Sequence, residues 1–363
     1  MFQRAIEGMK ALRADSKKRR ARRQRDSVKL RPEALEDRRL LCTVSTTCIT
    51  QTGSELVING TAEDDRIILY AGDGGLVVSY QDGSAGTTNE HGPYYYLSNI
   101  TINGLAGDDV ITASTNVSQT MTLNGGDGND YLAGGGQDDL INGDDDDDDI
   151  HGANGNDTLN GGNGDDEIRG REGDDTIQGN AGEDDISGGD GNDTIYGDDM
   201  GAQTTGDDDR IDGGTGDDLL HGNGGNDNIS GGSGADILVG DDGNDDLYGR
   251  QGNDVIIGGA QGDNLQGNGG DDVLAGGDYG AGLTDSVLDS YRAEMASANT
   301  PATKHSNIQM GAGLATAPLD SSNLIDDGDT IDGHTSGIGA DLTVAHQEDR
   351  NYRITGDDTI TVI

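Results

Sequence analysis

One aliphatic residue recurs every nine positions through most of the middle of the chain. From residue 125 to 196, and again from 213 to 275, Leu or Ile stands at the eighth position of consecutive nine-residue units. The first run holds eight units and the second holds seven. Three residues centred on one apolar side chain predict a very short strand whose middle residue points inward. A period this strict predicts a repeat architecture.

Glycine and aspartate occupy the rest of each unit in a fixed pattern. Position 1 is Gly and position 6 is Asp in all fifteen units, and position 4 is Gly in twelve of them. Six residues such as GGDGND at 125–130 predict a turn, because Gly permits positive φ and lets backbones approach closely. Two units then complete one coil of roughly 18 residues. The predicted fold is all-β, a parallel β-roll or β-solenoid with irregular β caps.

Several units resemble a known calcium-binding repeat. The runs GGDGNDYLA at 125–133, GGNGDDEIR at 161–169, GGDGNDTIY at 188–196 and GGTGDDLLH at 213–221 are similar to the RTX or haemolysin-type nonapeptide, GGxGxDxUx with U a large aliphatic residue. The resemblance covers residues 125–275. It implies a secreted or cell-surface protein that binds calcium through a parallel β-roll.

Composition argues that burial alone does not fold this chain. Ile, Leu, Val and Phe make up about 18% of the residues, there is no Trp, and the formal net charge is -46, a combination typical of disorder. One inward Leu or Ile per unit contributes roughly 2–3 kcal/mol, whereas ordering nine residues costs on the order of 10 kcal/mol. Stacked carboxylates add repulsion, which a divalent cation between them reverses. Without calcium we therefore expect a disordered chain.

Calcium suits the available ligands better than magnesium does. Asp carboxylates and glycine carbonyls are hard oxygen donors, and calcium accepts six to eight of them in flexible geometry. With coils of roughly 18 residues, position-6 aspartates two units apart face one another, for example Asp130 with Asp148, which gives about 11 or more sites. The candidate carboxylate ligands are Asp130, Asp139, Asp148, Asp157, Asp166, Asp175, Asp184, Asp193, Asp218, Asp227, Asp236, Asp245, Asp254, Asp263 and Asp272. The candidate glycine ligands are Gly126, Gly128, Gly155, Gly162, Gly164, Gly173, Gly182, Gly189, Gly191, Gly214, Gly216, Gly225, Gly232, Gly234, Gly243, Gly252 and Gly270.

Residues on either side of the regular array predict four regions. Residues 1–42 form a basic leader, 43–124 an irregular β segment with degenerate repeats, 125–277 the roll with an insertion near 198–206, and 278–363 a loop and a C-terminal β cap. In the second region Asp65 and Asp109 stand where the repeats place their aspartate, so the roll is expected to start before the regular array. After the insertion Asp209 resumes the phase, but no calcium site is expected near it. Residues 283–298 predict a turn or two of helix.

The leader differs from the rest of the chain in charge. Residues 1–40 carry 14 of the 23 Lys and Arg, and 29–41, KLRPEALEDRRLL, resembles the LEPR-XLL-type segment of some large secreted bacterial proteins, which implies a sorting role. No nucleic-acid partner is expected, since no aromatic residue or binding fold accompanies the basic cluster. The last residues are similar to the C-terminal export signals of RTX proteins. Cys42 and Cys48 form either a small disulfide loop or two free thiols.

Enzyme activity is not expected. The six histidines include no HExxH pair, which excludes the zinc protease of the serralysin-like family, and no apolar run is long enough to span a membrane. The leading hypothesis is a structural, adhesive or matrix-associated module, with cell-surface or matrix glycans or proteins as partners. The alternative is a calcium-stabilised polysaccharide lyase whose basic residue is one of four arginines. They are Arg169, Arg171, Arg210 and Arg250.

Overall fold

The computed structural model describes the chain from residue 48 to 276, apart from 73, 82–87 and 199–205. Beyond 276 it describes the backbone of five short strands, at 278–279, 324–325, 333–335, 342–345 and 359–362. Every regular element in these residues is a β-strand. The described residues contain no helix that is long and apolar enough to cross a membrane. The predictions for the leader, for its sorting segment and for residues 283–298 fall outside the described residues.

The strands, numbered in chain order, form two large sheets and one small one. Sheet A contains β1 (Cys48–Thr52), β2 (Glu55–Asn59), β6 (Asn99–Ala106), β8 (Thr120–Asp127), β10 (Leu140–Asp145), β12 (Thr158–Asn163), β14 (Thr176–Ala181), β16 (Thr194–Asp198), β18 (Leu219–Gly224), β20 (Ile237–Asp242), β22 (Val255–Ala260), β24 (Val273–Ala275), β28 (Leu342–Ala345) and β29 (Thr359–Val362). Sheet B contains β5 (Asn89–Tyr94), β4 (Gly75–Gln81), β3 (Arg66–Gly72), β7 (Val110–Ala113), β9 (Tyr131–Ala133), β11 (Asp149–Asn154), β13 (Glu167–Glu172), β15 (Asp185–Asp190), β17 (Arg210–Thr215), β19 (Asn228–Ser233), β21 (Asp246–Gln251), β23 (Asn264–Gly269) and β27 (Gly333–Thr335). β25 (Asp278–Tyr279) and β26 (Leu324–Ile325) pair antiparallel.

The pairing register confirms the predicted coil. Ile141 of β10 pairs with Leu159 of β12 in sheet A, and Ile150 of β11 pairs with Ile168 of β13 in sheet B, so each coil adds one parallel strand to each sheet. Neighbouring coils are offset by 18 residues, as in the hydrogen bond from Asp130 to Asp148. The predicted parallel β-solenoid is therefore the observed fold.

The core is a single apolar layer between the two sheets. It contains the eighth residue of every repeat, and Ile141, Ile150 and Leu159 are 0% exposed. Successive residues of a strand point to opposite sides, and each nine-residue repeat contributes its eighth residue to this layer. The core is accordingly thin.

The roll starts upstream of the regular array, as predicted. β2 pairs in parallel with β6, and β3 pairs in parallel with β7, so both sheets run without interruption across residue 124. The first strands of each sheet are different: β1 pairs antiparallel with β2, and β3, β4 and β5 form an antiparallel meander. These strands cover the open N-terminal edges, which reduces the risk of edge-to-edge association.

The C-terminal strands extend the same sheets. β27 pairs with β23 in sheet B, and β28 and β29 continue sheet A after β24. The predicted β character of the C-terminal region is thus observed in these strands. At the other end of the chain, Cys48 is disulfide-bonded, whereas Cys42, the other half of the predicted loop, lies outside the described residues.

The outer faces of the two sheets differ in polarity. In sheet B the outward positions of β15 and β19 are polar, with Asp185 and Asn228 exposed. In sheet A from β18 to β24 the outward positions are mostly apolar and buried, yet they do not belong to the core between the sheets. These apolar outward residues are Leu219, Ile237, Val239, Val255, Ile257, Val273 and Ala275.

Candidate metal centres along the turn edges

The position-6 aspartates form two columns, one along each turn edge of the roll. One column precedes the strands of sheet B and the other precedes those of sheet A. The first column contains Asp65, Asp109, Asp130, Asp148, Asp166, Asp184, Asp209, Asp227, Asp245 and Asp263. The second column contains Asp139, Asp157, Asp175, Asp193, Asp218, Asp236, Asp254 and Asp272. All fifteen candidate aspartates therefore lie in these columns.

Each column is held together by one repeated hydrogen bond. The backbone N–H of Asp130 donates to Oδ1 of Asp148 at 2.7 Å, and the N–H of Asp148 donates to Oδ1 of Asp166 at 2.7 Å. The prediction that aspartates two repeats apart meet is confirmed. The sequence did not reveal that Oδ1 is bound by an N–H group of the preceding coil, which leaves Oδ2 for another partner.

Most of the Oδ2 atoms are buried without a hydrogen-bond partner among the described residues. A buried carboxylate oxygen without a partner costs free energy, since water has been removed and nothing replaces it. Such atoms belong to Asp109, Asp130, Asp148, Asp157, Asp166, Asp175, Asp184, Asp193, Asp209, Asp227, Asp245 and Asp254. Oδ2 atoms that accept no hydrogen bond in the described structure therefore lie along both turn edges. A row of cations bound along each edge would supply the missing partners of these atoms.

In Asp139 and Asp65, unlike the aspartates named above, Oδ2 accepts a backbone hydrogen bond. Oδ2 of Asp139 accepts the backbone N–H of Gly135 at 2.8 Å, and Oδ2 of Asp65 accepts the N–H of Thr61 at 2.6 Å. In these two turns the backbone supplies the missing donor. We therefore expect weaker metal binding there than at the turns whose Oδ2 atoms have no such donor.

Carbonyl oxygens from the first position of the repeat lie beside the bare Oδ2 atoms. A Cβ atom added to Gly143 would collide with Oδ2 of Asp148 and would lie 2.5 Å from the carbonyl oxygen of Gly161 in the next coil. The same arrangement recurs at Gly222, where the atoms are Oδ2 of Asp227 and the carbonyl oxygen of Gly240. A carboxylate oxygen and a carbonyl oxygen of the next coil thus lie close to most of the first-position glycines.

The candidate glycines at positions 2 and 4 have a different surrounding. Nearly all adopt positive φ, for example 130° at Gly162 and 135° at Gly164, which explains why Gly is preferred. A Cβ at Gly164 would meet the carbonyl oxygen of Asp146, the residue at position 4 in the preceding coil. The carbonyl oxygen at position 4 of one coil therefore lies against position 4 of the next coil. The structure brings the position-1 carbonyls beside Oδ2, and the list of candidate ligands from the sequence did not include them.

The insertion leaves the aspartate column in register. The N–H of Asp184 donates to Oδ1 of Asp209 at 2.9 Å across 25 residues, and the N–H of Asp209 donates to Oδ1 of Asp227 at 2.9 Å. Asp209 is 3% exposed and its Oδ2 has no hydrogen-bond partner. The irregular spacing argued against a calcium site near Asp209, yet Asp209 makes the same contacts as the other aspartates of its column.

Burial raises the pKa of the column carboxyls. Burial, followed by the charges of Asp166 and Asp130, raises the pKa of Asp148 to about 8, against the lowering effect of the Asp130 hydrogen bond. Burial likewise raises the pKa of Asp227 and of Asp254 to about 9. In the absence of a cation these side chains resist ionisation at neutral pH, because each negative charge would be buried beside others of the same sign.

The arrangement fits a hard, oxygen-seeking divalent cation. Among the described residues no three His, Cys, Asp or Glu side chains converge on one point, so backbone carbonyls must complete any coordination shell. Zinc prefers nitrogen and sulfur ligands in a tetrahedron, whereas calcium takes six to eight oxygens, carbonyls included. The residues that would hold calcium are the column aspartates through Oδ2, with the first-position glycines through their carbonyl oxygens.

The four arginines lie on three strands of sheet B, with Arg169 and Arg171 both on β13, and each contacts a neighbouring side chain. Arg169 contacts Glu167 and lies 3.5 Å from Asp149, and Arg210 lies 3.5 Å from Asp185. Arg171 lies 3.4 Å from Nδ1 of His151, and Arg250 stacks over the ring of Tyr248. The described structure does not gather them into one basic site.

Comparison with protein families agrees with this geometry. The family described as RTX calcium-binding nonapeptide repeat (4 copies) matches residues 101–115, 124–159, 160–195, 203–238, 221–256, 230–265 and 248–278. The resemblance read from the glycine and aspartate pattern is confirmed. The matches include Asp109 and Asp209, which lie in the first column. No curated protein matches the chain.

Proposed function

The chain carries a calcium-binding β-roll of RTX repeats, and from this premise we propose that it is an extracellular structural or adhesive module that folds when calcium binds. The observation that carries the proposal is the bare Oδ2 column along each turn edge. When bound, the ion supplies positive charge to oxygens that have no donor in the described structure. The column aspartates hold neighbouring coils in register and present Oδ2 to the ion.

The number of ions follows from the columns. The predicted figure of about 11 or more sites assumed that pairing stops at the insertion. The hydrogen bonds at Asp184, Asp209 and Asp193 carry both columns across it, which supports further sites between the two runs of repeats. Affinities of roughly 0.1–1 mM are typical of extracellular calcium modules.

An extracellular location is supported by chemistry. Disulfides persist in oxidising compartments, and Cys48 is disulfide-bonded. The net charge of -46 also suits a protein exposed to millimolar calcium, since the ion offsets repulsion that would otherwise oppose the compact state. We propose that the protein is secreted or displayed at the cell surface, where it associates with glycans or proteins.

The test is a far-UV circular dichroism titration of the purified chain with calcium, with magnesium as the control ion. A cooperative rise of the β signal with calcium alone is expected, since magnesium prefers a tighter octahedral shell and keeps its water. A spectrum that does not change with calcium would overturn the proposal. Adhesion is tested separately, by release of the calcium-loaded protein from extracellular matrix on chelation.

We propose no catalytic role. The four arginines are spread over three strands and contact neighbouring side chains, which gives no support to a lyase site. Acidic polysaccharide incubated with the calcium-loaded chain should show no rise in the absorbance of unsaturated uronate. Turnover that disappears on changing Arg169 to Ala would contradict this.

A further inference from the structure

A pocket whose described lining residues are uncharged lies in the N-terminal strands, away from the turn columns. It has a volume of about 230 Å³ and is formed by the β3–β4 hairpin, the residues after β5, and the link from β7 to β8. Its lining includes Leu76, Tyr94, Tyr95, Tyr96, Asn116 and Gln119. None of the described lining residues is charged, although the chain as a whole carries a net charge of -46.

The pocket gathers aromatic side chains in a chain that has few. The sequence contains 11 Tyr, one Phe and no Trp, yet three consecutive tyrosines occur here. Tyr95 is 51% exposed and Tyr96 is 94% exposed, with ring centroids 6.4 Å apart. Large aromatic side chains held in solvent contribute nothing to the core, and such residues are enriched where proteins bind partners.

The backbone beneath the rings is strained and tightly packed. Tyr96 has a φ of 60°, a strained conformation that a bulky residue rarely adopts. A Cβ at Gly75 would lie 2.5 Å from the carbonyl oxygen of Tyr94 and 3.1 Å from the Tyr95 ring, so only glycine lets this ring lie over the hairpin. Nε2 of Gln51 also donates to the carbonyl oxygen of Tyr95 at 3.2 Å. The fold therefore holds the tyrosines in place.

Amide and hydroxyl groups also line the pocket. Oδ1 of Asn116 accepts the backbone N–H of Ala71 at 3.4 Å, which orients this amide, and Nε2 of Gln119 donates to the hydroxyl of Ser118 at 3.4 Å. Neutral donors and acceptors in one pocket with aromatic rings suit a ligand with apolar faces and a rim of hydroxyl groups. Phosphates and carboxylates would lack a cationic partner here.

We propose that this tyrosine pocket binds one uncharged sugar ring of a glycan. The ring stacks its C–H face on Tyr95 and Tyr96, and its hydroxyl groups hydrogen-bond to the amides of Asn116 and Gln119. A proline-rich peptide can also stack on tyrosines, but it offers few donors for the side-chain amide oxygens, so the sugar is favoured. The inference rests on the adhesive role proposed above and gives it a specific site.

The experiment uses the full-length chain with saturating calcium and isothermal titration calorimetry. The probes are neutral hexasaccharides of β-linked glucose, galactose and N-acetylglucosamine, together with a proline-rich decapeptide. We expect at least one hexasaccharide to bind, and the double variant Tyr95→Ala and Tyr96→Ala to bind it at least tenfold more weakly. Tyr248→Ala, a tyrosine change on the outer face of sheet B, serves as the matched control and should leave binding unchanged.

Three results would overturn the inference. They are a folded chain that binds none of the hexasaccharides, equal binding by the double variant, and binding of the peptide in place of the sugars. Circular dichroism of each sample separates this failure from failure of the proposed function. A folded chain without sugar binding refutes the pocket alone, whereas a chain that stays unfolded in calcium refutes the calcium-dependent fold.

Discussion

Acid should replace calcium in folding this chain. Burial raises the pKa of Asp184 and of Asp209 to about 8, and that of Asp227 and of Asp254 to about 9, from an ordinary value of 3.8. At a pH between the ordinary pKa and the raised pKa, the folded state binds more protons than the unfolded state. The stability of the calcium-free fold is therefore greatest below the ordinary pKa and falls as the pH rises. Calcium-free chain is therefore expected to fold near pH 4 and to unfold near pH 8.

The size of the effect follows from the four carboxyls. One pKa unit corresponds to about 1.4 kcal/mol, so keeping one of these groups protonated at pH 7 costs about 4 kcal/mol relative to an unfolded chain. Four such groups match or exceed the 5–15 kcal/mol that stabilises an ordinary domain. The free-energy cost of these buried carboxyls is thus enough to unfold the calcium-free roll at neutral pH, even though burial of the apolar layer favours folding.

The assay is far-UV circular dichroism of chelated, desalted protein between pH 8 and pH 4. Asp227→Asn removes one ionisation, so its folding midpoint should move to higher pH, whereas Asp212→Asn, an exposed position on β17, should leave the midpoint unchanged. No gain of β signal on acidification, or equal shifts in the two variants, would refute the reasoning. A calcium-loaded sample should show the opposite trend and lose structure in acid, because protons compete with the ion.

Three further outcomes are expected, each measured in calcium. Ile257→Asp should destabilise the roll by about 3 kcal/mol or more in urea titrations, because it buries a charge. Gln266→Asp, at the same repeat position on sheet B, should change stability by less than about 0.5 kcal/mol. Equal effects of the two changes would contradict the assignment of a buried apolar outer face to sheet A. Gly143→Ala places a methyl group against Oδ2 of Asp148 and should raise the calcium concentration needed for folding, whereas Asp145→Ala, exposed in the same turn, should not. Deletion of residues 199–205 should preserve calcium-dependent folding, since it restores the 18-residue offset seen elsewhere, and a seven-residue deletion inside an intact repeat should abolish it.

The period alone predicted the parts of the fold that every repeat shares. The aliphatic residue at position 8 of every repeat predicted the residues of the core, such as Ile150 and Leu159. The aspartate at position 6 of every repeat predicted how neighbouring coils pair. The metal followed from the oxygen-only ligand set. These features follow from the spacing of the repeats and from residue types that every nonapeptide shares.

Features that depend on two repeats at once could not be read in this way. The bond from each N–H to the next Oδ1 joins residues of neighbouring coils, as at Asp130 and Asp148, and it determines which oxygen remains for a ligand. The apolar outer face appears only when alternate repeats are compared, since Ile257 and Gln266 occupy the same repeat position on different sheets. The antiparallel strands β4 and β5 carry no repeat signature, and the tyrosine pocket lies beside them.

The hydrogen bonds along each column all run in one direction, and this makes the roll a polar one-dimensional lattice. Each interior aspartate donates to the following coil and accepts from the preceding one, as Asp148 does with Asp166 and Asp130. A coil therefore recognises its successor by a different atom from the one that recognises its predecessor, so two rolls meeting head to head cannot continue the series. In such a lattice stability is the sum of nearest-neighbour terms. Replacing one interior aspartate with alanine would consequently weaken the coupling between the coils that it joins, while the pairing of the two sheets still holds those coils together.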